Sequence, residues 1–349
     1  MKRPKTATRI WILTACILFS FVAVQTAAAG DGKLRERLRD RLQQKSAEGD
    51  GMFSEDAGGS CADHYAKIDR RIKSGGDRLI GSPPDVKDVA YGTHERQRFD
   101  VYLPKGEAAR GGPAPMILMA HGGGWCVGDK SLKSTVQNKV ARWTAKGFVV
   151  ASTNYPMLTH GRDALAQAHE VAAAAAFLQK NAGQWGGDST KLILMGHSAG
   201  AHLVSLVGTA KDIRDAAGMQ DVLGVVSIDA GATDLEMQMP KVLPFLKVRY
   251  TEAFGADPAR WPQMSPFHRL DKTSAPWLGI CSTTRPDKPC EQSEAYVQKS
   301  LALGIPAAML ALPKGHGKLN SELGQKGSYT DSVEKFMASL DTEVAARLR

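Results

Sequence analysis

A serine stands at the centre of Gly196-His197-Ser198-Ala199-Gly200, directly after the apolar run at residues 191–195. An ordinary strand-to-helix connection has no need of two glycines so close about a serine. A sharp turn that thrusts one hydroxyl outward does, because side chains at the flanking positions would collide with neighbouring backbone. That hydroxyl would stand at the head of a helix, where amide N–H groups converge. Serine attacks carbonyl carbon well only when a base takes its proton. In this architecture the base follows the serine and the acid in chain order. His316 lies in Pro313-Lys314-Gly315-His316-Gly317, just past a strand-like run at residues 307–312. Loops at strand carboxyl ends are where α/β sheets gather reactive groups, so His316 is the candidate base. His268 is the rival, but it sits in an irregular segment.

The acid that would orient such a base belongs in the loop after the preceding strand, read at residues 277–281. That loop is Ser282-Thr283-Thr284-Arg285-Pro286-Asp287-Lys288-Pro289-Cys290, and Asp287 is its sole carboxylate. Asp287 would accept the imidazole N–H and stabilise the imidazolium. The competing reading is a surface ion pair with Arg285 or Lys288. Acyl transfer also needs donors for an oxyanion. His121-Gly122-Gly123-Gly124-Trp125 follows an apolar run at 115–120, and successive glycines let N–H groups point at one spot. The amide of Ala199, next to the nucleophile, would join them. A phosphate loop is a poorer reading, since the Gly-Lys-Ser/Thr ending is missing. His121 reads as a turn-holder, and Trp125 as either a pocket wall or a core cap.

These groups need a scaffold that brings strand ends together. Strand-like runs occur at 99–103, 115–120, 147–152, 191–195, 222–228, 277–281 and 307–312. Helix-like segments lie at 164–181, 199–209, 291–303 and 332–347. Their alternation predicts an α/β chain with a mostly parallel, twisted sheet covered by helices on both faces. Residues 233–270 break the rhythm and read as an excursion over the sheet's carboxyl edge.

Taken together, the motifs resemble the α/β-hydrolase superfamily. They are similar in particular to its esterase branch with a His-Gly-Gly-Gly-Trp segment: hormone-sensitive-lipase-like carboxylesterases and the related feruloyl-esterase-like and kynurenine-formamidase-like enzymes. The stretches that carry the likeness are residues 121–125 with Gly128-Asp129-Lys130, Gly186-Gly187-Asp188, residues 196–200, Asp287 and Gly315-His316. They span roughly residues 85–345. The resemblance implies an α/β-hydrolase fold with a triad of Ser198, Asp287 and His316. It implies Gly123, Gly124 and Ala199 as oxyanion donors, a small-molecule ester substrate, and no cofactor. It also implies a small cap from residues 235–268. The acid's loop departs from the Gly- and Asp-rich pattern of the family. An amide-cleaving relative (an arylformamidase or a peptidase) and a catalytically silent binding protein on the same fold are the alternatives.

Composition bounds the rest. The chain has 349 residues, 43% of them hydrophobic and 23% charged, enough for one sizeable α/β core. Its formal charge is +9, of which Lys2, Arg3, Lys5 and Arg9 supply four. The remaining +5 is mildly basic, with no Lys/Arg cluster interleaved with aromatics, so nucleic acid is not an expected partner. Those basic residues precede an apolar run at 10–24 and then Thr26-Ala27-Ala28-Ala29, the pattern of a secretory signal peptide cleaved after Ala29. A retained anchor is the alternative, but the run is short for a span. Residues 30–60 read as a flexible linker and 61–349 as the catalytic domain, in the periplasm or outside the cell. Export implies an oxidising compartment, and loss of the signal removes Cys16, leaving Cys61, Cys126, Cys281 and Cys290. Cys281 and Cys290, close in sequence, are the preferred disulfide, which would clamp the Asp287 loop at both ends. Cys61 and Cys126 stay unassigned. No His-x-x-x-His or Cys-x-x-Cys spacing suggests a metal.

Overall fold

The register of two neighbouring strands fixes where the chemistry can gather. In the computed structural model, which describes residues 60–63 and 81–349, Ala120 at the end of β3 (Ala114–Ala120) pairs with Gly196 of β5 (Gly187–His197). The two segments that leave those strands therefore start side by side. They are residues 121–125 and the Ser198 turn.

The sheet has eight strands in the order β1-β2-β4-β3-β5-β6-β7-β8. The others are β1 (Val86–Ala90), β2 (Arg98–Tyr102), β4 (Val149–Thr153), β6 (Gly224–Ile228), β7 (Trp277–Ser282) and β8 (Ala307–Leu312). The pairs β1–β2 and β2–β4 are antiparallel, and every pair from β4 to β8 is parallel. After β3 the chain runs first to β4 on one side and then to β5 on the other. Open α/β sheets bind ligands at such a reversal. The mostly parallel sheet expected from sequence is present. The antiparallel edge strand β1 was not foreseen, because VKDVA has too little apolar content to stand out.

Alternate residues of β3 serve opposite faces. Met116 and Leu118 join one core with Phe99, Leu192, Leu194, Leu203 and Tyr296. Ile117 and Met119 join the other with Ile193, Met195, Val226, Val140 and Trp143. Both faces are buried, so the strand reads as an unbroken apolar run. Helices α2 (Ala164–Lys180), α3 (Ala199–Thr209), α4 (Lys211–Ala217) and α8 (Pro289–Ala302) supply residues to the first core. Helices α1 (Lys133–Thr144), α9 (His316–Glu322), α10 (Ser328–Leu340) and α11 (Thr342–Leu348) supply the second. The excursion carries the short helices α5 (Leu235–Gln238) and α7 (Trp261–Met264), with α6 (Pro244–Phe254) between them.

Three local rules show in the elements. Asp163 starts α2 by accepting the Ala166 amide at 2.9 Å. Helix α1 has a stripe of Val136, Val140 and Trp143, narrow enough to escape notice among polar residues. The single helix expected at 332–347 is two, because Asp341 accepts the amides of Glu343 and Val344 and caps a new one. The expected signal peptide at 1–29 and linker at 30–60 lie outside the described residues, Ser60 excepted. Among the described residues, no helix is long and apolar enough to cross a membrane.

Candidate active site

The Ser198 turn is strained and glycine-dependent. Ser198 sits at φ 56°, ψ −117°, between β5 and α3. A Cβ on Gly196 would lie 2.3 Å from the Gly200 carbonyl oxygen, and one on Gly200 would lie 2.3 Å from that of Ala120. Ala199 opens α3, so its N–H has no partner within the helix. Across the gap, a Cβ on Gly122 would lie 3.0 Å from Ser198 Cβ, which brings the glycine segment against the serine. Gly123 and Gly124 have φ of +128° and +60°, and only glycine takes the first readily.

Buried polar groups hold that segment. Tyr155 Oη donates to the His121 carbonyl at 2.7 Å, and the two rings stack at 4.5 Å. Arg96 donates to the Gly128 carbonyl at 2.7 Å and to Asp129 at 3.2 Å. Asp129 also accepts from Ser131 and Asn154. Burial opposes the Asp129 charge, but Arg96 and the Ser131 donors outweigh it and hold the carboxyl well below the usual range. Lys130 Nζ lies 2.8 Å from Asp88 and 3.0 Å from Asp100. His121 is fully buried, and desolvation followed by the Arg96 charge pushes it down to about 4. It is a neutral turn-holder, as its sequence setting suggests. Trp125 is 4% exposed and packs edge-on against Tyr250 and Phe254, so it caps the core. Its indole N–H donates to His202 Nδ1 at 3.2 Å, and His202 Nε2 reaches the Met264 carbonyl at 2.7 Å. His202 thus ties α3 to the glycine segment and to the excursion.

His316 opens α9 rather than lying in an extended loop. Its ring sits 4.5 Å from that of His197, and His197 Nε2 is 3.2 Å from the His316 carbonyl. Since His197 precedes Ser198, this places His316 beside the turn. Burial, then the nearby His316, holds His197 well below the ordinary histidine range, so it braces without charge.

The carboxylate that meets the imidazole is Asp229, not Asp287. His316 Nδ1 lies 2.5 Å from Asp229 Oδ2. Asp229 is the first residue beyond β6 and is fully buried. Its φ of 55° is one that aspartate tolerates better than most residues. Its other oxygen accepts the Ser282 amide at 2.8 Å. Asp287 pairs instead with Arg285, at 2.9 Å from Nε and 2.5 Å from Nη2, and accepts Gln238 at 3.2 Å. Arg285 Nη1 donates to Asp229 Oδ2 at 3.0 Å. It also approaches His316 Nδ1 at 3.3 Å. Arginine only donates, so this is two donors converging on one carboxylate oxygen. Burial works against the Asp229 charge, but Arg285 and then the His316 bond keep it ionised. With Nδ1 engaged, Nε2 is the ring nitrogen left to face a substrate.

The structure therefore sets the Ser198 turn against the glycine segment at Gly122, sets His316 against His197 next to that turn, and leaves Asp287 one guanidinium away. Asp229 was missed by sequence reading; Arg285 was named there only as a competing ion-pair partner for Asp287, and that pair is present, though largely buried rather than on the surface. The usable signal was a carboxylate immediately after the apolar run at 222–228. The rival His268 lies in the excursion, 3.4 Å from Glu236. Disulfides join Cys281 to Cys290, as preferred from sequence, and Cys61 to Cys126. Among the described residues, no cluster of three or more His, Cys, Asp or Glu could hold a metal ion.

This sheet, with a serine turn after β5 and a histidine after β8, defines an α/β-hydrolase fold. The chain belongs to the BD-FAE family, whose profile matches residues 99–300. Esterase LipC of Mycobacterium tuberculosis is 28% identical over 242 residues, 66% of this chain and 59% of that protein. A probable isoprenylcysteine alpha-carbonyl methylesterase of Oryza sativa is 28% identical over 147 residues, 42% of this chain and 33% of that one. Kynurenine formamidase of Danio rerio is 29% identical over 136 residues, 39% of this chain and 43% of that one. The chain thus spans less than two thirds of each of these relatives. Esterase B of Lactobacillus rhamnosis superposes with a TM-score of 0.62 at 18% identity, over 82% of this chain and 95% of that one. A truncated carbohydrate esterase from gut microbiota also gives 0.62, at 19% identity, over 75% and 99%. At these identities the structures speak for the fold.

Proposed function

We propose that the protein is a serine hydrolase of carboxylic esters. Ser198 Oγ attacks the acyl carbon while its proton passes to His316 Nε2. Asp229 holds Nδ1–H, fixing the tautomer and stabilising the imidazolium. The amides of Gly123, Gly124 and Ala199 receive the oxyanion. Collapse expels the alcohol, which takes the proton from Nε2, and water then releases the acyl group by the same route. The observation that carries the reading is the convergence of the strained serine turn, the glycine segment and an aspartate-held imidazole at one sheet edge. The named esterases among the relatives support it.

The decisive test is a fluorophosphonate probe together with p-nitrophenyl acetate. Wild type should be labelled and should hydrolyse the ester, and Ser198→Ala should do neither. Folded wild type that resists the probe would leave a silent binding protein as the better reading. The kynurenine formamidase similarity supports one second reading, cleavage of an arylformamide. Faster turnover of N-formyl aromatic amides than of acetyl esters would favour it. Two disulfides support an exported chain, because such bonds persist in oxidising compartments. N-terminal sequencing of the secreted protein should begin just after Ala29.

A further inference from the structure

We infer that Arg285 is a positioning residue that couples Asp287 to the Asp229–His316 pair and sets how strongly that pair holds a proton. Its guanidinium divides its edges. The Nε and Nη2 edge takes both oxygens of Asp287. Nη1 takes Asp229, through Oδ2 and through the backbone carbonyl, each at 3.0 Å. A planar fork with fixed donors can hold two carboxylates in one geometry, which a lysine cannot.

The surroundings leave the fork little freedom. A Cβ on Gly231 would come within 2.5 Å of Nη2, so that position must stay bare. Asp287 is held from behind by Gln238, which in turn accepts from Gln292 Nε2 at 2.5 Å. The loop that carries Arg285 and Asp287 is closed by the Cys281–Cys290 disulfide. The carboxylate that sequence reasoning made the orienting acid thus acts at one remove.

The charges facing the pair come from several elements. His197 approaches from β5 with its ring 4.5 Å from His316, and the Lys139 charge on α1 acts on His197. Tyr329 on α10 and Tyr250 on α6 are both pushed up by burial and stay neutral near neutral pH. Arg285 touches the shared oxygen directly. A cation there disfavours a second positive charge on the imidazole, and Asp287 draws part of that cation away. Removing Arg285 should therefore make His316 easier to protonate, and removing the Asp287 charge should make it harder.

The kinetic half of the test rests on the proposed ester hydrolysis, and the spectroscopic half does not. His316 would be titrated by NMR in ¹⁵N-histidine-labelled Ser198→Ala protein, and the acid limb of kcat/KM measured in otherwise native chains. Arg285→Met should move both midpoints up by about one pH unit, and Asp287→Asn should move both down by roughly half a unit. Arg285→Lys keeps the charge but loses the fork. It should restore most of the wild-type midpoint while kcat stays about ten-fold lower. Unmoved midpoints, or shifts of the opposite sign, overturn the coupling. Should Arg285→Met not fold, Asp287→Asn and Arg285→Lys decide the matter alone. A wild-type chain that cleaves no ester would defeat the functional reading, yet the NMR midpoints would still judge the coupling.

Discussion

His316 Nδ1 and Asp229 Oδ2 are 2.5 Å apart, across 87 residues of chain. The contact joins the first residue after β6 to the first residue of α9, beyond β8. A buried carboxylate on Nδ1 fixes the tautomer of the imidazole, and the neighbouring Arg285 keeps that carboxylate charged.

Replacing Asp229 with asparagine should lower kcat by about 10⁴, because the amide permits the wrong tautomer. Asp287→Asn, one guanidinium further off, should cost less than about ten-fold. Steady-state kinetics on p-nitrophenyl acetate compares the two. Equal losses would return Asp287 to the role of orienting acid.

Gly123 is a second sensitive point. Its φ is +128°, and a Cβ there would lie 1.8 Å from the Val127 carbonyl oxygen. Gly123→Ala should shift the segment, lowering kcat by about 10²–10³ with little change in KM. The protein should also lose roughly 1–3 kcal/mol of stability. Kinetics and thermal melting read the two effects separately.

Stability should fall as pH drops from about 6.5 to about 4. Burial depresses His121 and His202 from 6.5 to about 4, and holds His197 well below its ordinary value. In that window the unfolded chain binds protons that the native state refuses, so the unfolded state gains. Above the window both states are neutral and the effect vanishes. His121 and His202 each contribute up to about 3 kcal/mol by the low end, and His197 acts in the same direction. Urea denaturation across this range should show a falling midpoint, and His202→Phe should flatten its slope. His202 protonation would also remove the acceptor for the Trp125 indole.

The two disulfides should separate stability from activity. Cys61–Cys126 closes 65 residues and Cys281–Cys290 closes 9. Loop-closure entropy makes the first the larger stabiliser, within about 2–5 kcal/mol. Paired alanine variants at 61 and 126 should therefore lose more denaturant stability. Variants at 281 and 290 should lose more kcat, because their loop carries Arg285. The reverse ranking would show that the short bridge does not support the site.

The serine turn and the glycine segment are legible in the chain because their chemistry is local. Gly196 and Gly123 each avoid backbone four residues further on, at Gly200 and Val127, and the apolar runs that precede these turns are short and continuous. His316 is legible for a similar reason, since it follows the last strand. The acid is not. Asp229 and Asp287 each follow a strand and are both buried, and nothing near either in sequence ranks them. Their roles depend on where Arg285 aims its fork, and on the register that puts Ile228 opposite Ile280 and sends both strands' exits to the same place. The amino-acid order by itself determined the serine turn, the histidine that follows the last strand and the sheet that carries them. The tertiary structure decided which carboxylate reaches the imidazole, because one buried cation between two anions can be placed only when the loops after β6, β7 and β8 meet.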